Sequence, residues 1–265
     1  MTSPMTSSVH GDQTPLTVRR AQGVALLTLH RPQARNALSS ALLHALSQAM
    51  AEADEDDDVG VIVLTGADPA FCAGLDLKEM AAGGDNLGLG ASPDSTVPAA
   101  PWAPTTKPVI ASVNGVAITG GLELVLRCDL VIASDRAAFA DTHARVGVMP
   151  GWGMSVLLPQ AVGSRVARQM SLTGDFLSAE RALSLGLVSE VVPHDQLAER
   201  TRSLAETIAG NDRAVVRALL ATYRRIESDH DVAGLRAEAL ASKAWLDHSA
   251  AEIRTRAGIL AGGAP

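Results

Sequence analysis

Three short apolar runs in the middle of the sequence most constrain how this chain can fold. They read VGVIVLTG at 59–66, PVIASVNG at 108–115 and DLVIAS at 129–134. Each is too short for a typical helix and rich in β-branched residues, which predicts buried strands. GGLELVLRC at 120–128 predicts the start of a helix between the last two. Strands that alternate with helices are typical of an α/β core.

The segments before this core predict a hairpin and a helix. The β-rich runs at 16–20 and 24–30 are separated by three residues, which indicates a β-hairpin. Ser39 or Ser40 can cap a helix that continues to about Glu55. Its predicted core-facing side chains are Leu42, Leu43, Leu46 and Met50.

The domain organisation is predicted from composition along the chain. Residues 1–14 lack apolar periodicity, and we expect them to be disordered. Residues 15–200 are expected to form the α/β core, and 201–265 a helical C-terminal subdomain. The stretch at 81–105 is rich in Gly, Ala, Pro and Ser, which predicts a surface loop.

Charge and cysteine content exclude several classes of protein. A net charge of −7 argues against a nucleic-acid binder, which needs an excess of Lys and Arg. Cys72 and Cys128 are the only cysteines, and their spacing suggests neither a disulfide framework nor a metal site. The opening MTSPMTSSVHGDQTP lacks a basic segment followed by an apolar core, and the sequence has no uninterrupted apolar stretch of about 18 residues. We therefore expect a cytoplasmic protein that does not associate with membranes.

Two glycine turns are the candidate chemical features, because the common nucleophile, P-loop, zinc-protease and dinucleotide motifs are absent. In FCAGLDLKEM at 71–80, Gly74 permits a sharp bend and Asp76 can start a helix. AITGGLE at 117–123 places Gly120 at a helix N-terminus with unpaired N–H groups. The two turns could aim amides at one oxygen, or they could be ordinary strand-to-helix turns.

Three motifs resemble those of a known family. FCAGLDLKEM, KPVIASVNGVAITGGLELVLRCDLVIAS and GDFLSAERALSLGLVSEVV, in this order, resemble the crotonase superfamily of enoyl-CoA hydratases and isomerases. The resemblance runs from about Leu16 to Val192. It implies a spiral of repeated ββα units followed by a helical C-terminal part, and trimers often paired into hexamers. It implies no cofactor, because coenzyme A is part of the substrate.

The resemblance also implies an oxyanion hole and a coenzyme A site. The amides of Leu75 and Gly120 would polarise a thioester carbonyl and stabilise the enolate formed from it. The residues implied at the coenzyme A site are Ala34, Arg35, Ala73, Leu75, Asp76, Leu77 and Gly120. Arg31, Arg35 and Lys78 could screen its phosphates, although Arg31 and Lys78 could equally be ordinary surface charges.

Glu123 and His143 are the candidate acid/base residues. Glu123 lies in an apolar helix segment, where burial favours the neutral acid and the helix N-terminus favours the carboxylate. It matches the first of the two acid/base glutamates of the hydratases. His143 stands where the hydratases have the second glutamate. A histidine can donate or accept a proton near neutral pH, but it could also be a structural hydrogen-bonding residue.

Three functional hypotheses follow. The first is a hydratase that adds water to a trans-2-enoyl-CoA. The second is an isomerase, or another enzyme that forms an enolate from an acyl-CoA. The third is an acyl-CoA binding protein without turnover. We expect the acyl-chain preference to depend partly on the loop at 81–105, so the sequence does not specify it.

Overall fold

The computed structural model describes residues 14–84, 86 and 100–262, without the side chains at 228–230. Nearly all of the segment predicted to be disordered, 1–14, lies outside the described residues. So do positions 85 and 87–99 of the predicted loop. The described part has the mixed α/β architecture that the sequence predicts.

The described residues form two sheets. The larger has six strands, all parallel except the first. In spatial order they are β1 (Leu16–Ala21), β2 (Val24–Leu29), β3 (Val61–Gly66), β5 (Val109–Val113), β7 (Leu130–Ser134) and β10 (Glu190–Val192). β1 and β2 form the predicted antiparallel hairpin, with Leu16 opposite Leu29. The three apolar runs are β3, β5 and β7, and they lie side by side at the centre of this sheet.

The second sheet has four short strands. In spatial order they are β4 (Ala70–Cys72), β6 (Val116–Ile118), β8 (Ala138–Ala140) and β9 (Phe176–Ser178). The helices that follow its first three strands are α2 (Leu77–Ala81), α3 (Gly120–Leu126) and α4 (His143–Val146). The chain therefore repeats one unit three times: a strand in each sheet, then a short helix. This is the predicted ββα spiral, and it brings the starts of α2, α3 and α4 to one end of the small sheet.

Both faces of the large sheet are covered, which explains why its central strands are mostly apolar. The remaining helices are α1 (Ser40–Glu55), α5 (Met154–Val162), α6 (Ser164–Thr173), α7 (Ala179–Leu185), α8 (Leu197–Ala209) and α9 (Arg213–Gly262). Ile62 and Leu64 of β3 belong to the core cluster that contains the apolar face of α1. Val61 and Val63, on the opposite face, pack with Ala205 of α8.

Helix α1 begins and ends as the sequence predicts. The Ser39 hydroxyl accepts a hydrogen bond from the Leu42 amide at 3.2 Å and so caps the helix. The predicted face is buried. At the other end, the buried Lys107 ammonium donates to the carbonyls of Ala53 at 2.8 Å and Asp56 at 2.5 Å. A cation at a helix C-terminus complements the partial negative charge of the last carbonyls.

The helical end of the chain is more closely attached to the core than the predicted subdomain boundary suggests. That boundary, between 200 and 201, falls inside α8. Thr201 of α8 hydrogen-bonds Ser112 of β5 at 3.0 Å between hydroxyls, so α8 packs as part of the core. Helix α9 has 50 residues and packs along α2, α4 and α5. No described helix combines the length and apolar composition that crossing a membrane requires.

Candidate active site

The first glycine turn presents the Leu75 amide. Gly74 has φ of +91°, which favours glycine, and Asp76 caps α2 by accepting from the amides of Lys78 and Glu79. Leu38 donates to the Gly74 carbonyl at 2.7 Å and accepts from the Asp76 amide at 3.0 Å. In such a parallel bridge the N–H of the middle residue points away from the partner. Leu75 is that residue, and no described group accepts its N–H.

The second turn presents the Gly120 amide. Its first residue, Thr119, has φ of 52° and ψ of −113°, a conformation that costs a non-glycine residue about 1–3 kcal/mol. The Thr119 hydroxyl lies 2.5 Å from that of Thr142, and its amide donates to the Ala140 carbonyl at 2.8 Å. The strand end therefore holds Thr119 in place. Nothing among the described residues accepts the Gly120 N–H at the start of α3.

The two turns meet at one cavity. A methyl group placed on Gly74 would lie 3.7 Å from the Gly120 nitrogen, so the turns are in contact. The four predicted catalytic and oxyanion residues, Leu75, Gly120, Glu123 and His143, all line this cavity. Its other lining residues include the apolar Val148, Trp152 and Leu246. Both turns connect a strand to a helix, and both also line this cavity.

Glu123 is buried in the cavity wall, with 3% of its surface exposed. The Trp152 amide donates to Oε1 at 2.9 Å, and Oε2 lies 3.7 Å from His143 Nε2. Burial raises the pKa of Glu123 from 4.5 to about 6, although His143 and the Trp152 amide oppose the rise. A carboxyl group with this pKa can be populated in both protonation states near neutral pH.

His143 is the first residue of α4 and is also buried. Its Nδ1 lies 2.6 Å from Asp141 Oδ1, which leaves Nε2 facing Glu123. Burial by itself lowers the pKa of His143. The hydrogen bond to Asp141, together with the charges of Glu123, Asp141 and Glu238, outweighs burial and raises the pKa above 6.5.

Three contacts of this site were not predicted from the sequence. Asp141 is 1% exposed and binds His143, and its only sequence signal is a carboxylate two residues before a histidine. The Trp152 amide binds Glu123. Glu238 of α9 accepts from the amides of Gly153 at 2.6 Å and Ser155, so α9 holds the turn that carries Trp152. No local sequence pattern indicates the last two contacts.

The residues predicted at the coenzyme A site lie around the first turn. Ala34 ends a 3-10 turn, and the Ala73 amide donates to the Arg35 carbonyl at 3.0 Å. Leu77 begins α2 and packs on the apolar cluster of α2, α4 and α9. The side chain of Arg35 is exposed. These placements are compatible with the predicted binding roles.

Arg31 and Asp76 form an ion pair that was not predicted from the sequence. The Arg31 guanidinium binds the Asp76 carboxylate at 2.8 Å and the Ala37 carbonyl at 2.5 Å, and its side chain is 22% exposed. Burial raises the pKa of Asp76, but the hydrogen bond and the charge of Arg31 outweigh burial and lower it. The Arg31 guanidinium is therefore engaged with Asp76, and its predicted contact with the phosphates stays a prediction. Lys78 remains exposed at the surface of α2.

Comparison with known proteins identifies the family. The sequence profile described as Enoyl-CoA hydratase/isomerase matches residues 19–259. A probable enoyl-CoA hydratase of Mycobacterium tuberculosis is 41% identical over 213 residues, which cover 80% of this chain and 82% of the relative. The mitochondrial enoyl-CoA hydratase of Pongo abelii is 43% identical over 195 residues, 72% of this chain and 66% of that one.

Solved structures agree with the sequence comparison. The crystal structure of an enoyl-CoA hydratase from Mycobacterium avium superposes with a TM-score of 0.79 at 53% identity, over 88% of this chain and 97% of that one. An enoyl-CoA hydratase from Mycobacterium smegmatis gives a TM-score of 0.80 at 51% identity, over 88% and 98%. The chain belongs to the enoyl-CoA hydratase/isomerase family, the crotonase superfamily.

Proposed function

We propose that this protein is an enoyl-CoA hydratase, a lyase that adds water across the double bond of a trans-2-enoyl-CoA. The observation that carries the proposal is the convergence of two free backbone amides and two buried acid/base side chains on one cavity. The names of the relatives support the same reaction. The substrate itself carries coenzyme A, and the proposal includes no other cofactor.

The amides of Leu75 and Gly120 act as the oxyanion hole. When water adds to the β-carbon, negative charge moves to the thioester oxygen, and two N–H donors stabilise it. Backbone amides fixed by a strand bridge and a helix N-terminus need no reorganisation during the reaction. One such donor typically contributes about 10²–10³ in rate.

Glu123 acts as the base and His143 as the acid. Ionised Glu123 takes a proton from water as the hydroxyl oxygen bonds to the β-carbon, and protonated His143 gives a proton to the α-carbon. Each substrate molecule thus gains one oxygen and two hydrogens. Afterwards Glu123 passes its extra proton to His143, which restores both residues. Their pKa directions favour this assignment, because a carboxyl near 6 and a histidine above 6.5 are both partly charged near neutral pH.

The proposed coenzyme A site is the surface around the first turn. Arg35 and Lys78 are exposed there and can attract phosphates on a chain with a net charge of −7. The backbone of Ala34, Ala73 and Leu75 can contact the pantetheine. The adjacent apolar cavity, with Val148 and Trp152, is suited to the uncharged part of an acyl group.

We also propose that the protein assembles as a trimer or a pair of trimers and works in the cytoplasm. Four large side chains at helical spacing on the first half of α9 are more than half exposed: Val215, Leu219, Tyr223 and Ile226. Such a stripe is suited to cover by another subunit. Light scattering at micromolar concentration tests this directly, since a mass near 27 kDa would contradict the assembly.

The hydratase hypothesis is tested with two substrates. Crotonyl-CoA should lose the absorbance of its conjugated thioester, whereas an isomerase would instead create that absorbance from a 3-enoyl-CoA. Tight binding in calorimetry with every substrate left unchanged would indicate a binding protein. A panel of enoyl-CoA chain lengths then gives the acyl preference.

The role of His143 is tested by two substitutions. His143→Glu restores the two-carboxylate arrangement of the hydratases and should retain hydration, while His143→Gln removes the proton donor and should lose most of it. If His143→Gln hydrates crotonyl-CoA as fast as the parent between pH 5 and 9, His143 is structural.

A further inference from the structure

We propose that Asp141 is a positioning residue that holds His143 with Nδ1 protonated and Nε2 directed at Glu123. The inference rests on the proposed function, because it assigns Asp141 a role through His143. Asp141 does not line the cavity. It acts on the reaction only through the ring that it binds.

The geometry at Asp141 is specific for one orientation of the ring. Asp141 Oδ1 accepts from the His143 backbone amide at 3.1 Å and contacts His143 Nδ1 at 2.6 Å. The first bond fixes the carboxylate relative to the start of α4, and the second fixes the ring relative to the carboxylate. Asp141 is 1% exposed and His143 6%, so water does not compete strongly for either group.

This hydrogen bond selects the tautomer. An ionised carboxylate only accepts, so Nδ1 must carry the proton. Nε2 is then an acceptor in the neutral ring and a donor in the charged ring, and it faces Glu123 Oε2 at 3.7 Å. The opposite tautomer would place a lone pair against the Asp141 carboxylate. Asp141 therefore keeps the exchangeable proton on the side of the cavity.

The other charged groups around His143 do not substitute for Asp141. Glu123 of α3 lies across the cavity, and Glu238 of α9 is engaged with backbone amides. Arg145 of α4 binds Thr173 and Asp175 at the surface, and Arg165 and Arg168 of α6 are exposed. Arg256 of α9 lies against Gly147, at the far end of α4. Only Asp141 bonds Nδ1 in the described structure.

The test compares Asp141→Asn with the parent and with Asp175→Asn. Asp175 is an exposed aspartate paired with Arg145, so its variant makes the same change of charge without touching His143. In Asp141→Asn we expect kcat for crotonyl-CoA at pH 8 to fall about 10- to 100-fold with KM within about twofold. The alkaline limb of the rate profile should move to lower pH. Asp175→Asn should match the parent.

A second measurement does not depend on turnover or on the folding of Asp141→Asn. Nitrogen NMR of the parent, labelled at histidine and assigned with His143→Gln, reports which ring nitrogen of His143 carries the proton at high pH. Protonated Nδ1 supports the inference. Protonated Nε2, or an alkaline limb unchanged in a folded Asp141→Asn, overturns it. Full activity in His143→Gln would instead contradict the proposed mechanism, and the tautomer would still be measured separately.

Discussion

Replacing Glu123 by Gln should stabilise the fold at neutral pH while it removes activity. The substitution keeps the shape of the side chain and an oxygen for the Trp152 amide, but it removes a buried negative charge. A catalytic base that is held in an apolar wall is expected to cost stability. We therefore expect Glu123→Gln to raise stability and to lower turnover.

The size of the expected gain in stability follows from the pKa of Glu123. Burial raises it from 4.5 to about 6. A difference of one in pKa corresponds to about 1.4 kcal/mol, so the ionised form costs about 2 kcal/mol in the folded state. Because the folded pKa is the higher one, the protein is destabilised as pH rises from 4.5 through 6. The gain in Glu123→Gln should be about 2 kcal/mol at pH 7.5 and about 0.4 kcal/mol at pH 4.5.

Urea unfolding followed by circular dichroism at both pH values measures this gain, at equal protein concentration because assembly contributes to apparent stability. Glu252→Gln, at an exposed glutamate on α9, is the matched control and should change stability little at either pH. Turnover of crotonyl-CoA by Glu123→Gln should fall by about 10²–10⁴. A variant no more stable than the parent at pH 7.5 would refute the argument that the charge is costly where it lies.

Three further predictions concern the site and its support. The rate profile should be bell-shaped: it rises as Glu123 ionises near pH 6, and it falls as His143, whose pKa is raised above 6.5, loses its proton. Lys107→Met should lower the free energy of unfolding by about 2–4 kcal/mol, because the last carbonyls of α1 lose a buried donor. Gly121→Ala should cost about 1–3 kcal/mol and reduce turnover, since its methyl group would lie 2.3 Å from the Cys72 carbonyl oxygen.

Matched control substitutions on α9 test whether the loss of any lysine, or an alanine at any glycine, would destabilise the protein to the same extent. Lys243→Met removes an exposed lysine, and thermal unfolding should barely change. Gly258→Ala adds a methyl group 3.7 Å from its nearest neighbour, so it should be neutral or stabilising. If Lys107→Met and Lys243→Met lost equal stability, or Gly121→Ala and Gly258→Ala did, the packing arguments would be contradicted. A rate profile without an acid limb near pH 6 would remove Glu123 as the base.

Much of the fold is determined by local sequence. Short β-branched runs form strands because both of their faces can be buried, and Ser39 and Asp76 begin helices because their side chains bind free amides. The sharp turn at Gly74 could be predicted because glycine readily adopts the positive φ that the turn needs. The sequence also identified Glu123 and His143 as candidates, by a carboxylate in an apolar helix and by resemblance to a family.

Tertiary structure decided which groups pair. Arg31 and Asp76 are 45 residues apart, and Glu238 reaches Gly153 across 85 residues, so no periodicity within a helix or strand indicates either contact. The order of strands in the small sheet brings the two turns to one cavity, and the packing of α9 holds the Trp152 turn against Glu123. Burial then raises the pKa of Glu123, because desolvation depends on everything that surrounds the carboxyl group rather than on its neighbours in the chain.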